Sequence, residues 1–223
     1  MLRFLGRVAR SEAILSWTGA LRHKRFALLE EMVRGFEPPV RILDVGGTDA
    51  YWKQQGQEML EQCQVTVLNA GAHLVGRAGI DSVVGDARDM HQFEDGAFDI
   101  VYSNSVIEHV GDNDDQRRMA DEVRRVGKAY MVQTPNLYFP IEPHFYFPFY
   151  QFLPERVRVE LLRHFDLGWF RKTPDRDAAT ERVRSVRLLS RRDLEGLFPE
   201  ADIATERLFG LEKSFTAYHR SRS

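Results

Sequence analysis

The chain has 223 residues, 43% of them hydrophobic, and a formal net charge of −2 with 29% of its side chains charged. That size and apolar share can bury a full core in one domain without disulfide or metal staples, and the near-neutral balance excludes both a global basic field for nucleic acid and an acidic, disordered composition. No run reaches the roughly 20 apolar residues of a membrane span, Arg3, Arg7 and Arg10 interrupt any signal-type apolar core, and the lone Cys63 has no metal-ligand spacing around it, so a cytoplasmic protein is expected.

Residues 2–36 place Leu2, Leu5, Val8, Leu15, Leu21, Leu28, Leu29, Met32 and Val33 at helical spacing, with a break predicted near Thr18-Gly19. Two short helices packed on the main body account for this pattern; a basic amphipathic surface in weak contact with anionic lipid is the alternative. Glu37-Pro38-Pro39 ends the region, because proline cannot continue a helix and the residue before it avoids helical geometry.

Strand-like runs follow at 40–45, 64–68, 80–84, 98–103 and 129–133, with helical stretches at 50–62 and 114–126. Parallel neighbours need crossover helices, so this alternation indicates an α/β, doubly wound sheet. The first strand runs into Asp44-Val45-Gly46-Gly47-Thr48, a strand, tight turn and helix start whose glycines let the backbone approach a ligand closely. Ligands of such sheets sit at the carboxyl ends of the strands. Those ends carry Asn69 and Ala70 after the second strand, Gly85, Asp86 and Ala87 after the third, Ser103, Asn104 and Ser105 and then Glu108 and His109 after the fourth, and Thr134, Pro135 and Asn136 after the fifth.

Between Leu137 and Gln151 lie seven aromatics, three prolines and the pair Glu142 and His144, which reads as a rigid, irregular, aromatic insertion. A helix is predicted over 154–165 and a charged loop over 168–179. Ser190 with Asp193 three residues on caps a helix over 191–197, and the runs 201–208 and 214–219, joined through Gly210, form a closing antiparallel pair.

A nicotinamide-dinucleotide fingerprint is not met: Thr48-Asp49-Ala50 breaks its glycine spacing, and Asn69 stands where its acid belongs. Residues 42–47, 85–87, 98–110 and 198–218, taken in order, resemble instead the class I S-adenosylmethionine-dependent methyltransferases, in particular the small-molecule branch typified by ubiquinone biosynthesis. The likeness covers about residues 40–136 and 187–219. It implies a mostly parallel seven-stranded sheet of Rossmann-like methyltransferase fold, its last strand antiparallel, with N-terminal helices and the aromatic insertion after strand five. One domain, 1–223, is then expected: N-terminal helices to 36, a cofactor-binding core over 40–136, an insertion and acceptor lid over 137–186, and a closing segment over 187–223.

The resemblance also implies S-adenosyl-L-methionine over the first four strand ends. Asp44, Gly46 and Gly47, with Thr48 beside them, would surround its amino-acid part and Asn69 its ribose hydroxyls. Asp86 and the Ala87 backbone would take the adenine, and Ser103 and Asn104 would line the sulfonium side. The family usually has an acid where this chain has Asn69, so the ribose is held by one acceptor and one donor. In some ubiquinone-type relatives a Glu followed three and four residues on by Glu-His is associated with a divalent metal; here the first position is Ser105, and no metal is expected.

Glu108 and His109 are candidates for acid–base work, against a helix-start or packing role for His109. Glu142 and His144 share a face if the chain is extended, and burying them idly among aromatics is costly; they either position and deprotonate an acceptor or form a structural clamp. The expected activity is methyl transfer to an O, N or C atom of a small apolar or planar molecule. The alternative is a cofactor-binding partner protein of little activity, docking through the aromatic insertion and the Arg-rich segment 182–192. Nucleic acid is not an expected partner, and the oligomeric state is left open.

Overall fold

The computed structural model describes residues 12–48, 52, 61–71 and 80–220. Strands β1 (Val40–Val45), β2 (Cys63–Asn69), β3 (Ile80–Val84), β4 (Phe98–Asn104), β5 (Gly127–Pro135), β8 (Asp202–Leu208) and β9 (Leu211–His219) form one sheet in the order β3-β2-β1-β4-β5-β9-β8. The first five are parallel; β9 runs antiparallel to β5 and to β8. Strand order reverses between β1 and β4, which places a ligand crevice at their carboxyl ends. The predicted helix over 50–62 lies almost wholly outside the described residues, as do residues 1–11.

β4 is buried along nearly its whole length and β1 everywhere except Arg41, as expected of parallel strands covered on both faces. On one face, Leu29, Met32 and Val33 of helix α1 (Glu12–Val33) pack with Trp52 over Val40, Ile42, Ile100 and Met131. On the other, helices α2 (Asn113–Val126) and α5 (Arg191–Leu197) bring Met119, Val123, Leu194 and Phe198 against Leu43, Val101 and Val132. Cys63 is buried at the start of β2, and burial pushes its thiol up to about 11, which keeps it an inert filler. Among the described residues no helix is long and apolar enough to cross a membrane.

α1 is a single helix, without the break predicted at Thr18-Gly19. A helical glycine costs only about 1 kcal/mol relative to alanine, and the burial of Leu29, Met32 and Val33 on the sheet outweighs it. α2 starts in a complete capping box: the Asp112 side chain accepts from the Asp114 and Asp115 amides, and Asp115 accepts from the Asp112 amide. Asp112→Ala is expected to cost about 1 kcal/mol in urea unfolding; an unchanged midpoint would show that Asp115 alone secures the turn.

The insertion is more regular than its prolines suggest. β6 (Ile141–Glu142) and β7 (Phe147–Pro148) pair in a minimal antiparallel ladder, followed by helices α3 (Glu155–His164) and α4 (Arg176–Arg184). These elements build their own core of Phe145, Tyr150, Val159, Leu162, Ala179 and Val183, in which Phe145 stacks on Tyr150 at 4.2 Å and on Phe170 at 4.6 Å. The charged loop predicted over 168–179 is corrected: α4 begins inside it, because Asp175 caps the Ala178 amide and Ala179 and Val183, four apart, bury one face. At the other end of the chain, α5 has the predicted capping box of Ser190 and Asp193. Phe209 (φ 53°) and Gly210 (φ 81°) make the two-residue turn that joins β8 to β9.

Candidate active site

The cradle at the end of β1 has no room for side chains. A Cβ on Gly47 would fall 1.7 Å from Asp44 Oδ2, and one on Gly46, whose φ is +76°, would fall 2.4 Å from Val106 Cγ2. The Asp44 carboxyl beneath is 1% exposed and accepts from Trp52 Nε1 at 2.6 Å. Burial dominates that bond and pushes the carboxyl up to about 7. At the neighbouring end of β2, Asn69 donates through Nδ2 to the Gly47 carbonyl at 3.0 Å, which fixes the amide and leaves Oδ1 as an acceptor. Asp44, Gly46, Gly47 and Asn69 therefore come together at the neighbouring ends of β1 and β2, with Thr48 exposed beside them.

Of the other cofactor candidates, Asp86 and Asn104 have internal partners. Asp86 takes Arg88 on both carboxylate oxygens, with Nη2 to Oδ2 at 2.6 Å, and this guanidinium holds its carboxyl below the usual range. Ala87 beside it is half-buried. Ser103 is fully buried, and its Oγ has no partner among the described residues. Asn104 Oδ1 accepts from Arg25 Nη1, while the same guanidinium reaches Gln133 Oε1 at 3.2 Å and forms a two-point pair with Glu206 at 2.9 and 2.8 Å. α1 is thereby tied across the ends of β4, β5 and β8.

Beyond β4 the chain turns through Ser105 (φ 57°) into a 3-10 turn, Ile107–His109, and meets the insertion. Glu108 is fully buried: Oε2 accepts from Thr134 Oγ1 at 3.1 Å, Oε1 has no donor among the described residues, and burial pushes the carboxyl up to about 7. His144 Nδ1 lies 2.7 Å from Glu142 Oε1, and Glu142 Oε2 accepts from the backbone amides of His144 at 2.7 Å and Phe145 at 2.6 Å. With both oxygens engaged, Glu142 orients His144, puts the hydrogen on Nδ1 and leaves Nε2 basic, 4.0 Å from Glu108 Oε1. His109 crosses His144 edge-on with centroids 4.8 Å apart, and its Nδ1 donates to the Ser185 carbonyl at 3.1 Å. Partial loss of hydration against the groups packed around it, and then the neighbouring His144, hold His109, which still has an exposed edge, below the ordinary imidazole pKa.

Three Lewis-basic atoms of Glu108, His109 and His144 thus lie within 4.8 Å of one another, and the group could hold a divalent cation or share a proton. Carbonyl or carboxylate acceptors on the Nδ1 side of both imidazoles suit either role. The sequence points to each of these residues separately; their convergence across 36 residues of chain has no sequence signal.

Asp44 and Glu108, both pushed up to about 7, set a pH dependence. Between the ordinary carboxyl range and pH 7 the folded state holds more protons than the unfolded one, so this contribution is full at low pH and is lost as pH rises through 7. The melting temperature is expected to fall from pH 5 to pH 8, with a flatter slope in Asp44→Asn and in Glu108→Gln. A melting temperature that rises over that interval would mean both carboxyls are ionised in the native state.

Residues 43–129 match the family model of a methyltransferase domain. An uncharacterized protein of Mycobacterium tuberculosis is 36% identical over 67 residues; the match spans 30% of this chain and 22% of that relative's length. Among solved structures, the N-methyltransferase NodS from Bradyrhizobium japonicum, in complex with S-adenosyl-L-homocysteine, superposes with a TM-score of 0.52 at 12% identity over 91% of this chain and 87% of that one. A SAM-dependent methyltransferase from Aquifex aeolicus does so at 0.50 and 10% identity, over 87% of each chain. Residues 43–129 thus match a methyltransferase-domain model, and the sheet order and strand-end cradle are those of the fold shared with the S-adenosylmethionine-dependent methyltransferases of known structure.

Proposed function

We propose that the chain transfers a methyl group from S-adenosylmethionine to an oxygen, nitrogen or carbon atom of a small molecule. The observation that carries this reading is the cradle: two glycines that exclude any Cβ, seated over a buried carboxyl and beside a fixed amide oxygen. These residues fit the amino-acid and ribose parts of the cofactor. Asp44, Gly46 and Gly47 would hold the first, and Asn69 Oδ1 would accept from a ribose hydroxyl. Asp86, already paired with Arg88, would meet the adenine with its remaining lone pairs. When bound, S-adenosylmethionine supplies a methyl on a positively charged sulfur.

The chain's own part is orientation, exclusion of water and handling of one proton. Val106, against which Gly46 packs, leads directly into the turn bearing Glu108 and His109, so cradle and imidazole cluster share one wall. Orientation of this kind supplies up to about 7–11 kcal/mol in favourable cases. His144, held at Nδ1 by Glu142, takes at Nε2 the proton of an acceptor O–H or N–H, and Trp169, whose ring lies 5.4 Å from His144, shields it from solvent. The aromatic insertion favours an apolar or planar acceptor. Calorimetric titration with S-adenosylmethionine and S-adenosylhomocysteine tests the reading: saturable binding is expected, and Gly46→Val should abolish it. Absence of binding at millimolar concentration would overturn the proposal.

A further inference from the structure

Glu108 is fully buried, and its two carboxyl oxygens are unequally served: Oε2 accepts from Thr134 Oγ1, while Oε1 meets no donor among the described residues. Native proteins rarely leave such an atom unpaired, so it calls for an explanation. The group that faces it is His144 Nε2, at 4.0 Å. Glu142 fixes the hydrogen of that ring on Nδ1, so Nε2 presents a lone pair and not a donor. Two acceptors are thus aimed at one another inside the protein. A hydrogen on Oε1 would not close the gap, because 4.0 Å is beyond hydrogen-bond reach. Two metal–ligand bonds of about 2.0–2.1 Å do reach across it.

His109 completes the set. Its Nδ1 donates to the Ser185 carbonyl, which leaves the other ring nitrogen as a lone pair, and one ligand atom of each of the three residues lies within 4.8 Å of the others. Glu142 and the Ser185 carbonyl are the outer acceptors that orient metal-bound imidazoles. Two imidazoles and one carboxylate suit zinc or cobalt and leave a fourth position for water, whereas magnesium takes oxygen ligands. The exposed edge of His109 gives an ion a path from solvent. Ser105 takes no part: its hydroxyl, at the position where some relatives carry a first acid, donates to Gln133 Oε1 at 2.9 Å.

We infer that Glu108, His109 and His144 bind one divalent transition-metal ion, zinc in preference to magnesium, with the insertion contributing the third ligand. Ion and proton compete for the lone pair on His144 Nε2, so His144 does not act as a base while the ion is held. That consequence rests on the methyl-transfer reading; metal binding itself does not.

The test is calorimetric titration of the chelator-treated full chain with Zn²⁺ and with Mg²⁺ in a non-chelating buffer. One zinc ion per chain is expected, with a micromolar or lower dissociation constant, and no heat from magnesium. Cobalt(II) should give the visible absorption bands of a four-coordinate ion, and these should be lost in His144→Ala. Glu108→Gln, which keeps the volume of the buried side chain, and His144→Ala should each weaken zinc at least tenfold while leaving S-adenosylhomocysteine affinity within twofold. His91→Ala, which removes an exposed imidazole paired with Asp89, should leave zinc affinity unchanged. Equal affinity for zinc and magnesium, or zinc binding undiminished in both Glu108→Gln and His144→Ala, would overturn the inference. So would the absence of zinc binding at millimolar concentration, the result expected of a water molecule between Glu108 and His144. The S-adenosylhomocysteine titration reads the cradle separately, so either reading can fail while the other stands.

Discussion

His144→Ala is expected to lower the turnover number by about 10²–10⁴-fold, the usual loss on removing a general base, and to leave the affinity for S-adenosylhomocysteine unchanged. His144 is the better placed of the two imidazoles: it is 3% exposed, its tautomer is set by a 2.7 Å contact to Glu142, and its Nε2 faces the turn that carries Glu108. His109 is anchored only to a backbone carbonyl, at 3.1 Å. His109→Ala should therefore cost less, and its effect should fall mainly on the Michaelis constant. Glu142→Gln gives the sharper diagnosis of a positioning residue. An amide can still accept through one oxygen but cannot satisfy both the imidazole and two backbone amides, so turnover should drop by less than in His144→Ala, and the pH profile should shift. Equal, small losses for His144→Ala and His109→Ala would remove proton transfer from the mechanism.

Trp52→Ala is expected to destabilise the protein by about 3–5 kcal/mol in urea unfolding, the range for truncating a large buried aromatic. Trp52 is fully buried, crosses Tyr102 edge-on at 6.3 Å, and donates to Asp44 at 2.6 Å. The alanine variant opens a cavity and also strips a buried carboxyl of a donor, so the upper end of the range is expected. Trp52→Phe separates the two contributions. It keeps most of the volume, loses only the hydrogen bond at a cost of about 1–3 kcal/mol, and pushes the Asp44 carboxyl further up. A loss below about 1 kcal/mol in Trp52→Ala would mean that the cradle does not rest on this side chain.

The sheet was legible because its parallel strands write their burial into the sequence. The runs at 40–45 and 98–103 are nearly continuously apolar, and the small and polar residues that end them coincide with the observed strand ends. The cap of α5 was legible for the same local reason, a polar residue three positions before its reciprocal partner, and the box of Asp112 and Asp115 at the start of α2 has the same pattern but was not read. α4 was missed although its signal is present: Asp175, then Ala179 and Val183 at helical spacing, obscured by the charged residues between them. The break expected at Thr18-Gly19 failed because propensity is weak beside the burial that fixes the second half of α1. At the site, Asp44, Gly46, Gly47 and Asn69 could be read from their position at strand ends. What holds them could not be, since the bond from Trp52 to Asp44 and the approach of His144 to Glu108 depend on tertiary geometry that no local pattern records.

The contacts of Arg25 have a consequence for how the two layers separate. One guanidinium holds Asn104, Gln133 and Glu206, so three strands share a single rivet and a helix supplies it. Peeling α1 from the sheet cannot proceed strand by strand, because all of these bonds are lost in the same event. In amide hydrogen exchange, the second half of α1 and the ends of β4, β5 and β8 should exchange as one cooperative unit.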